Sequence, residues 1–454
     1  MPMKVSVVGT GYVGLVSGAC LAEKGHRVVC VDIDASKVAA VNAGRCPIHE
    51  EGLPEIIARH AGGLLTATTD LSAAVRATDL TLIAAPTPFD GKRIDLSYVR
   101  AVARAIGAAL RDKAGYHVVV VKSTVVPGTT DDVVGPAVAE ASGRTVGDGF
   151  GLGMNPEFLS EGVAVADFMN PDRIVAGGID ERTRDAIAAL YDGFPGVTLL
   201  RTGNKAAEMI KYASNALQAT MISFANEIAN LCERIDDVDA IEVMRGVHAM
   251  KELTVTPSGG GRPMPAPIVN FLSPGCGFGG SCFPKDLKAI VAHGKSLGAP
   301  TPLLDAVVSV NAERPARMVD LAEAELGTLA GKRVALLGLA FKPGTDDMRE
   351  SPAVPIAREL RRRGADVVAY DPAAMDEARK AFGADGPTFA ASTPDAIRGA
   401  DAVLLVTRWA EFADLPKLIA GSAARPVLID GRRMIAPGAV PRYRGVGRRV
   451  GTPR

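Results

Sequence analysis

One cysteine in this chain stands where a thiol can react. Cys282 follows the run Ser273-Pro274-Gly275-Cys276-Gly277-Phe278-Gly279-Gly280 and comes just before Pro284, a residue suited to the first turn of a helix. The free N–H groups and positive dipole of a helix start stabilise a thiolate, and Lys285 adds positive charge beside it. Asp286 lies one helical turn further on. An inert buried thiol is the alternative, since that is the ordinary condition of a free cysteine. Lys211 and Asn215 form a second constellation, at i and i+4 of a Pro- and Gly-free stretch, so they share a helix face. By spacing alone they are equally well a solvated pair. The third is Gly9-Thr10-Gly11-Tyr12-Val13-Gly14, followed by Asp32 after 21 residues from Gly11. Here Gly9 permits a tight turn, Gly11 lets backbone approach a pyrophosphate, and Gly14 lets helix and strand pack closely. Asp32 can accept hydrogen bonds from a ribose 2′-OH and would repel a 2′-phosphate, which favours NAD over NADP.

The elements needed to hold these groups are legible. Residues 4–8 and 27–31 read as strands flanking the glycine turn and a helix rich in Ala and Leu. Further strands are expected at 80–85 and 118–121, with a helix at 97–111 between them. Ligands of open α/β sheets sit beyond the carboxyl ends of strands, which places Thr87, Ser123 and Thr124 where a ligand would be. Residues 204–235 predict a helix of about 30 residues, spanning about 45 Å. Pro, Gly and Ser dominate 255–280, which reads as a binding loop, and 284–297 has helical composition. Strands at 332–338, 366–371, 402–406 and 426–430, with a helix at 352–363, build a second α/β half without a GxGxxG. The arginines from Arg442 to Arg454 are mixed with Val and Gly and read as strand and tail. The expected fold is α/β, with two Rossmann-like domains joined by a long central helix.

Composition narrows the field. Among 454 residues, Lys+Arg and Asp+Glu both number 51, which excludes a generally basic nucleic-acid binder. No run approaches the ~18 apolar residues of a membrane span. The first residues, MPMKVSVVGTGYVG, lack the pattern of a signal peptide. The six cysteines form no CxxC pair and the six histidines no HExxH, so neither a metal site nor a disulfide framework is expected. The reducing cytoplasm is the simplest compartment.

Seven motifs occur in order: GTGYVG (9–14), KST (122–124), NPEFLSEG (155–162), FMNPDRIV (168–175), Lys211 with Asn215, GFGGSCFPKD (277–286) and LAFKPGTDDMRES (339–351). On these, over about residues 3–449, the chain resembles the UDP-glucose/GDP-mannose dehydrogenase family. The resemblance implies a four-electron, NAD-dependent oxidation of the C6 hydroxymethyl of a nucleotide sugar, by default UDP-glucose to UDP-glucuronate, through a thiohemiacetal and a thioester on Cys282. Residues 1–203 would be the NAD-binding domain and 204–312 the central, dimer-forming region with the catalytic cysteine. Residues 313–454 would bind the sugar nucleotide.

Carried over by position, Cys282 is the nucleophile, Lys211 and Asn215 form the oxyanion site, Glu157 is the general base, and Asp286 and Thr124 orient water. Gly9, Gly11, Tyr12, Val13, Gly14, Asp32, Lys37, Thr87, Ser123, Thr124, Glu161 and Arg349 match NAD contacts. Phe158, Leu159, Glu161, Lys211, Asn215, Phe271, Phe278, Gly279, Lys342 and Arg432 match the sugar-nucleotide site. A homodimer is implied, with no nucleic-acid or membrane partner. One position departs: where the family carries an arginine five residues before the Phe-Leu pair, this chain has Ala266 within GGGRPMPAPIVNFL, with Arg262 nearby. That leaves dTDP-glucose, UDP-N-acetylmannosamine and GDP-mannose open as substrates. An ordinary two-electron NAD dehydrogenase and a non-catalytic sugar-nucleotide binder are the alternatives of a different class.

Overall fold

The computed structural model describes residues 2–257 and 259–449. The chain divides into two compact units, residues 1–214 and 215–454. The first is built on an eight-stranded sheet: β1 (Lys4–Val8), β2 (Arg27–Val31), β3 (Leu65–Thr68), β4 (Leu80–Ile83), β5 (Val118–Val121), β6 (Gly151–Met154), β7 (Arg173–Gly178) and β8 (Thr198–Thr202). Their order is β3-β2-β1-β4-β5-β6-β7-β8, parallel throughout except where β6 meets β7. β5 is four consecutive valines, all buried, because helices cover both faces and a parallel strand then has no polar side. Order reverses between β1 and β4, and the crevice at such a switch point is where ligands bind in doubly wound sheets.

The second unit holds a short antiparallel pair, β9 (Thr254–Val255) with β10 (Met264–Pro265), and a six-stranded parallel sheet. That sheet comprises β11 (Arg333–Leu337), β12 (Asp366–Tyr370), β13 (Thr388–Phe389), β14 (Ala402–Leu405), β15 (Val427–Asp430) and β16 (Tyr443–Gly445). Its order, β13-β12-β11-β14-β15-β16, again reverses beside the first strand. The α/β class and both Rossmann-like sheets thus match the sequence reading. The long helix is Asn204–Cys232, 29 residues, and the division between the units falls within it.

Several parts of the fold escaped the sequence reading, β3, β7, β8 and β13 among them. β6 reads Gly-Leu-Gly-Met, a composition depleted in strands. It is glycine-rich because neighbours press on it: a Cβ on Gly153 would lie 2.5 Å from the Ile187 side chain and 2.8 Å from the Gly177 carbonyl oxygen. The helix Pro302–Leu326, 25 residues with Pro315 inside it, was not read either, whereas β16 falls in the 442–454 stretch expected to be strand and tail. The expected C-terminal tail lies partly outside the described residues, at 450–454.

Candidate active site

The glycine turn leaves β1 and opens the helix Tyr12–Glu23. Gly9 has φ +100°, and a Cβ there would meet the Ala84 carbonyl oxygen at 2.6 Å, so both conformation and space require glycine. A Cβ on Gly14 would fall 1.9 Å from the Gly9 carbonyl oxygen, so this glycine lets the helix close onto its own turn. Gly11 is different. Its backbone is ordinary, and no atom lies within 4 Å of an added Cβ. Open space at the start of a helix, over free N–H groups, fits a pyrophosphate.

Asp32, at the carboxyl end of β2, accepts from the Thr10 N–H (2.8 Å) and the Thr10 hydroxyl with one oxygen, and from the Asp34 N–H (2.9 Å) with the other. Partial burial pushes its carboxyl up, but these donors and nearby Lys37 outweigh that and hold it below the usual carboxylate range. A carboxylate offers about four acceptor positions, so one remains for a ribose hydroxyl. Thr87 donates to the Thr124 carbonyl oxygen (2.9 Å), and the Ser123 hydroxyl donates to that of Ala85 (2.6 Å), which knits the ends of β4 and β5 together. Tyr12 donates its hydroxyl to Glu50 and receives the Gly162 N–H at 3.0 Å. Glu50 also accepts from the N–H groups of Gly162 (2.7 Å) and Ala164 (2.6 Å). Glu50, which the sequence reading passed over, thereby ties the glycine turn to the loop carrying Glu161.

That loop follows β6. Glu157 is buried, and its carboxylate meets the Lys211 ammonium at 3.0 Å. It also accepts the Leu159 N–H at 2.7 Å. Burial alone would push this carboxyl up, yet Lys211 beside it, with the Leu159 N–H and Lys122, holds it below the ordinary carboxylate value. The ring of Phe158 carries the Arg173 guanidinium at 3.8 Å and the Lys211 ammonium at 5.5 Å from its centroid. Lys122 and Asn155, also missed, are buried at the adjoining ends of β5 and β6. A lysine closing an all-valine strand was the signal for the first.

In the second unit, Cys282 caps the helix Phe283–Ser296, half-buried, with the Ser281 hydroxyl 3.6 Å from its sulfur. The Asp286 N–H donates to the Cys282 carbonyl oxygen at 2.8 Å, closing the first turn. Asp286 is buried, receives the Asn215 amide at 2.7 Å, and is paired with Lys285. Phe271 and Phe278 each meet Phe283 edge to face at 6.1 Å. The glycine run before Cys282 is held from several sides. Asn311 exchanges two hydrogen bonds with the Phe278 backbone (2.8 and 3.1 Å). Gly275 gives its N–H to Asn226 (2.8 Å), and its carbonyl oxygen accepts from buried Arg314 (3.0 Å). Burial pulls the Arg314 guanidinium down to about 10. At Gly279 a Cβ would lie 2.3 Å from the Glu350 carbonyl oxygen, so the 339–351 loop packs directly on the glycines.

Of the remaining expected residues, Arg349 belongs to this unit, where Asp347 holds it through a two-pronged pair (2.7 Å at the shortest). Lys342 lies over the Phe341 ring at 5.6 Å, and Arg432 donates its guanidinium to the Val406 carbonyl oxygen and its backbone N–H to the Asp430 carboxylate (3.0 Å). Ala266 follows β10 and gives its N–H to the Leu253 carbonyl oxygen at 2.8 Å, while Arg262 is exposed.

Comparison with known proteins agrees with this geometry. Three models of the UDP-glucose/GDP-mannose dehydrogenase family match in sequence: the NAD binding domain over residues 3–195, the central domain over 205–313 and the UDP binding domain over 335–437. UDP-glucose 6-dehydrogenase AglM of Haloferax volcanii is 46% identical over 440 residues, 95% of this chain and 97% of that protein. GDP-mannose 6-dehydrogenase of Pseudomonas syringae is 40% identical over 81% of each chain. The solved UDP-glucose dehydrogenase of Pyrobaculum islandicum superposes with a TM-score of 0.89 at 40% identity, covering 99% of this chain and 98% of its own. With a glycine cradle and ribose acceptor fit for NAD and all three family domains present in order, the chain belongs to the UDP-glucose/GDP-mannose dehydrogenase family and is an NAD-dependent nucleotide-sugar dehydrogenase.

Proposed function

We propose that the protein oxidises the C6 hydroxymethyl of UDP-glucose to the carboxylate of UDP-glucuronate, consuming two NAD and one water per sugar. The glycine turn and Asp32 would hold NAD, which would supply the hydride acceptor for both oxidations. In the first, the C6 alcohol gives up a proton to water along with its hydride and becomes an aldehyde. An aldehyde gives up a second hydride readily only after a nucleophile has added. The Cys282 thiolate forms a C–S bond to C6, giving a thiohemiacetal. Loss of its C–H hydride and O–H proton leaves a thioester. Water then adds, the C–S bond breaks, and the thiolate and the acid are released.

Lys211, with Asn215, stabilises negative charge on the C6 oxygen. Glu157 takes a proton from the attacking water, and Asp286 and Thr124 orient that water. Glu161, Arg349, Lys37 and the ends of β4 and β5 contact NAD. Phe158, Leu159, Phe271, Phe278, Gly279, Lys342 and Arg432 contact the sugar nucleotide. The observation that carries the reading is the buried Lys211–Glu157 pair, whose desolvation is costly and whose burial beside a ligand cleft marks a functional site. The match of residues 335–437 to a UDP binding domain supports UDP as the nucleotide, and the relatives named for UDP-glucose support the sugar. Ala266 keeps dTDP-glucose, UDP-N-acetylmannosamine and GDP-mannose as the alternatives.

The same reading makes the protein a homodimer. Leu217, Phe224 and Leu231 are each roughly half-exposed and spaced by seven on the long helix, a stripe suited to a second copy. Cys20, Cys30, Cys46, Cys232 and Cys276 are free thiols, as suits a cytoplasmic enzyme, and among the described residues no helix is long and apolar enough to cross a membrane.

The decisive experiment is NADH formed per UDP-glucose at limiting sugar. Two, with UDP-glucuronate as product, is expected. One would remove the cysteine chemistry, and none would send the assay to the alternative nucleotides.

A further inference from the structure

A second buried cation is held by Asn155, two residues before Glu157. Lys122 directly follows β5, and Asn155 directly follows β6; the Val121↔Met154 register sets them side by side. Lys122 is 3% exposed. Its ammonium donates to the Asn155 side-chain oxygen at 2.9 Å and to the Asn155 carbonyl oxygen at 3.3 Å, with the Tyr191 hydroxyl oxygen at 3.5 Å. The Asn155 side-chain oxygen is saturated, since it also accepts from Tyr191 (2.6 Å), and its amide donates to the Val175 carbonyl oxygen (2.8 Å). Every direct partner of this ammonium is therefore neutral, and none of the described ion pairs includes it. Buried charge without a contacting counter-charge is costly, and an isosteric apolar side chain would avoid the cost.

The charges that act on Lys122 are Glu157, which favours its protonated form, and Lys211, which opposes it. The same two cations act on Glu157. Around them, Tyr191 is a phenol pushed above its ordinary range by burial, and Arg173 is turned to the Phe158 ring, Asp172 and Ser214. Burial brings the Lys122 ammonium down to about 8, so it stays largely charged near neutrality. The field of two ammonium groups thus acts on one buried carboxylate, Lys211 in direct contact and Lys122 more weakly from the sheet side. A lone Lys211 would be committed to neutralising Glu157 and would have to leave it unpaired to serve a substrate oxygen.

We propose that Lys122 is a positioning residue of this site, a fixed cation that keeps Glu157 ionised from the sheet side and so leaves the Lys211 ammonium available to the substrate oxyanion. This rests on the role given to Glu157 above. Lys122 itself touches no substrate and acts through Glu157.

The test is the pH profile of acid release in single turnover, for the wild type and for Lys122→Met, Lys122→Gln and Lys122→Arg, with unfolding midpoints to confirm folding. Removing a nearby cation raises a carboxyl's titration. The acidic limb is therefore expected to move up in the Met and Gln variants and to stay in place for Arg. Gln retains a donor for Asn155, so it reports on charge if Met fails to fold. An acidic limb unmoved in a folded Met or Gln variant overturns the proposal. Glu157→Gln in the same assay separates the two ideas. Normal acid release by that variant would sink the role of Glu157, whereas a stalled thioester with an unmoved Lys122→Met limb would sink only the role of Lys122.

Discussion

The Lys211 ammonium lies 3.0 Å from the Glu157 carboxylate, with the two side chains 4% and 5% exposed. Breaking such a pair by removing one member leaves an uncompensated buried charge, a loss of about 3–5 kcal/mol. Glu157→Gln should therefore lower the unfolding midpoint and slow acid release by about 10²-fold or more. Quenched-flow product analysis and thermal unfolding read the two effects separately. The pH dependence has a definite sign. The carboxyl of Glu157 is held below its ordinary value of 4.5, so the pair's stabilisation is present above pH 4.5 and is lost as pH falls through the lower folded value. Acid unfolding of the wild type should be steeper below pH 4.5 than that of the Gln variant.

Gly11 and Gly14 separate binding from folding. An alanine at Gly11 meets nothing within 4 Å, so Gly11→Ala should lose less than ~1 kcal/mol of stability while weakening NAD markedly, because the methyl fills the cradle. An alanine at Gly14 places its Cβ 1.9 Å from the Gly9 carbonyl oxygen, and Gly14→Ala should lose on the order of 3 kcal/mol. Equal Tm changes in the two variants would contradict this division.

Asp32 spends three of its acceptor positions on Thr10 and Asp34. Asp32→Ala should raise KM for NAD by about tenfold, consistent with losing one hydrogen bond to a charged group. It should also narrow the preference for NAD over NADP, by removing the charge that repels a 2′-phosphate. A loss of NAD affinity with unchanged preference would mean that Asp32 shapes the turn but does not meet the ribose.

Cys282→Ser should stop the reaction before acid release, since an alkoxide at serine is far less available than a thiolate at a helix start. The measurement is NADH per enzyme in a single turnover together with mass analysis for a trapped adduct. Continued release of UDP-glucuronate by this variant would remove Cys282 from the mechanism.

Leu217, Phe224 and Leu231 lie on the long helix with about half their surface exposed. Replacing Phe224 and Leu231 by lysine should leave the chain folded and shift sedimentation from dimer to monomer. Dimer retained at low micromolar concentration would place the subunit contact elsewhere.

Much of this was written in local sequence. β1, β2 and β5 have the bounds read from their β-branched runs, and the helices Ser97–Arg111 and Phe283–Ser296 follow from composition and Pro284. Such elements are legible because buried parallel strands must be apolar on both faces, and helix starts must satisfy their own N–H groups. The glycine turn with Asp32 was legible for the same reason, since the ligand is held by backbone at a fixed place in a βαβ unit. β6 was not, because its glycines answer to neighbours distant in sequence: Ile187 and Gly177 press where side chains would stand. The surroundings of Glu157 were hidden by the same physics. Lys122 and Asn155 are 33 residues apart and meet only because β5 lies beside β6, and the pairing of Lys211 with Glu157 depends on the long helix covering that end of the sheet. Residue type and spacing therefore determined which chemistry the chain carries. Sheet order and burial decided which charges face one another, since the energy of a charge depends on what lies across space from it, and chain distance does not enter.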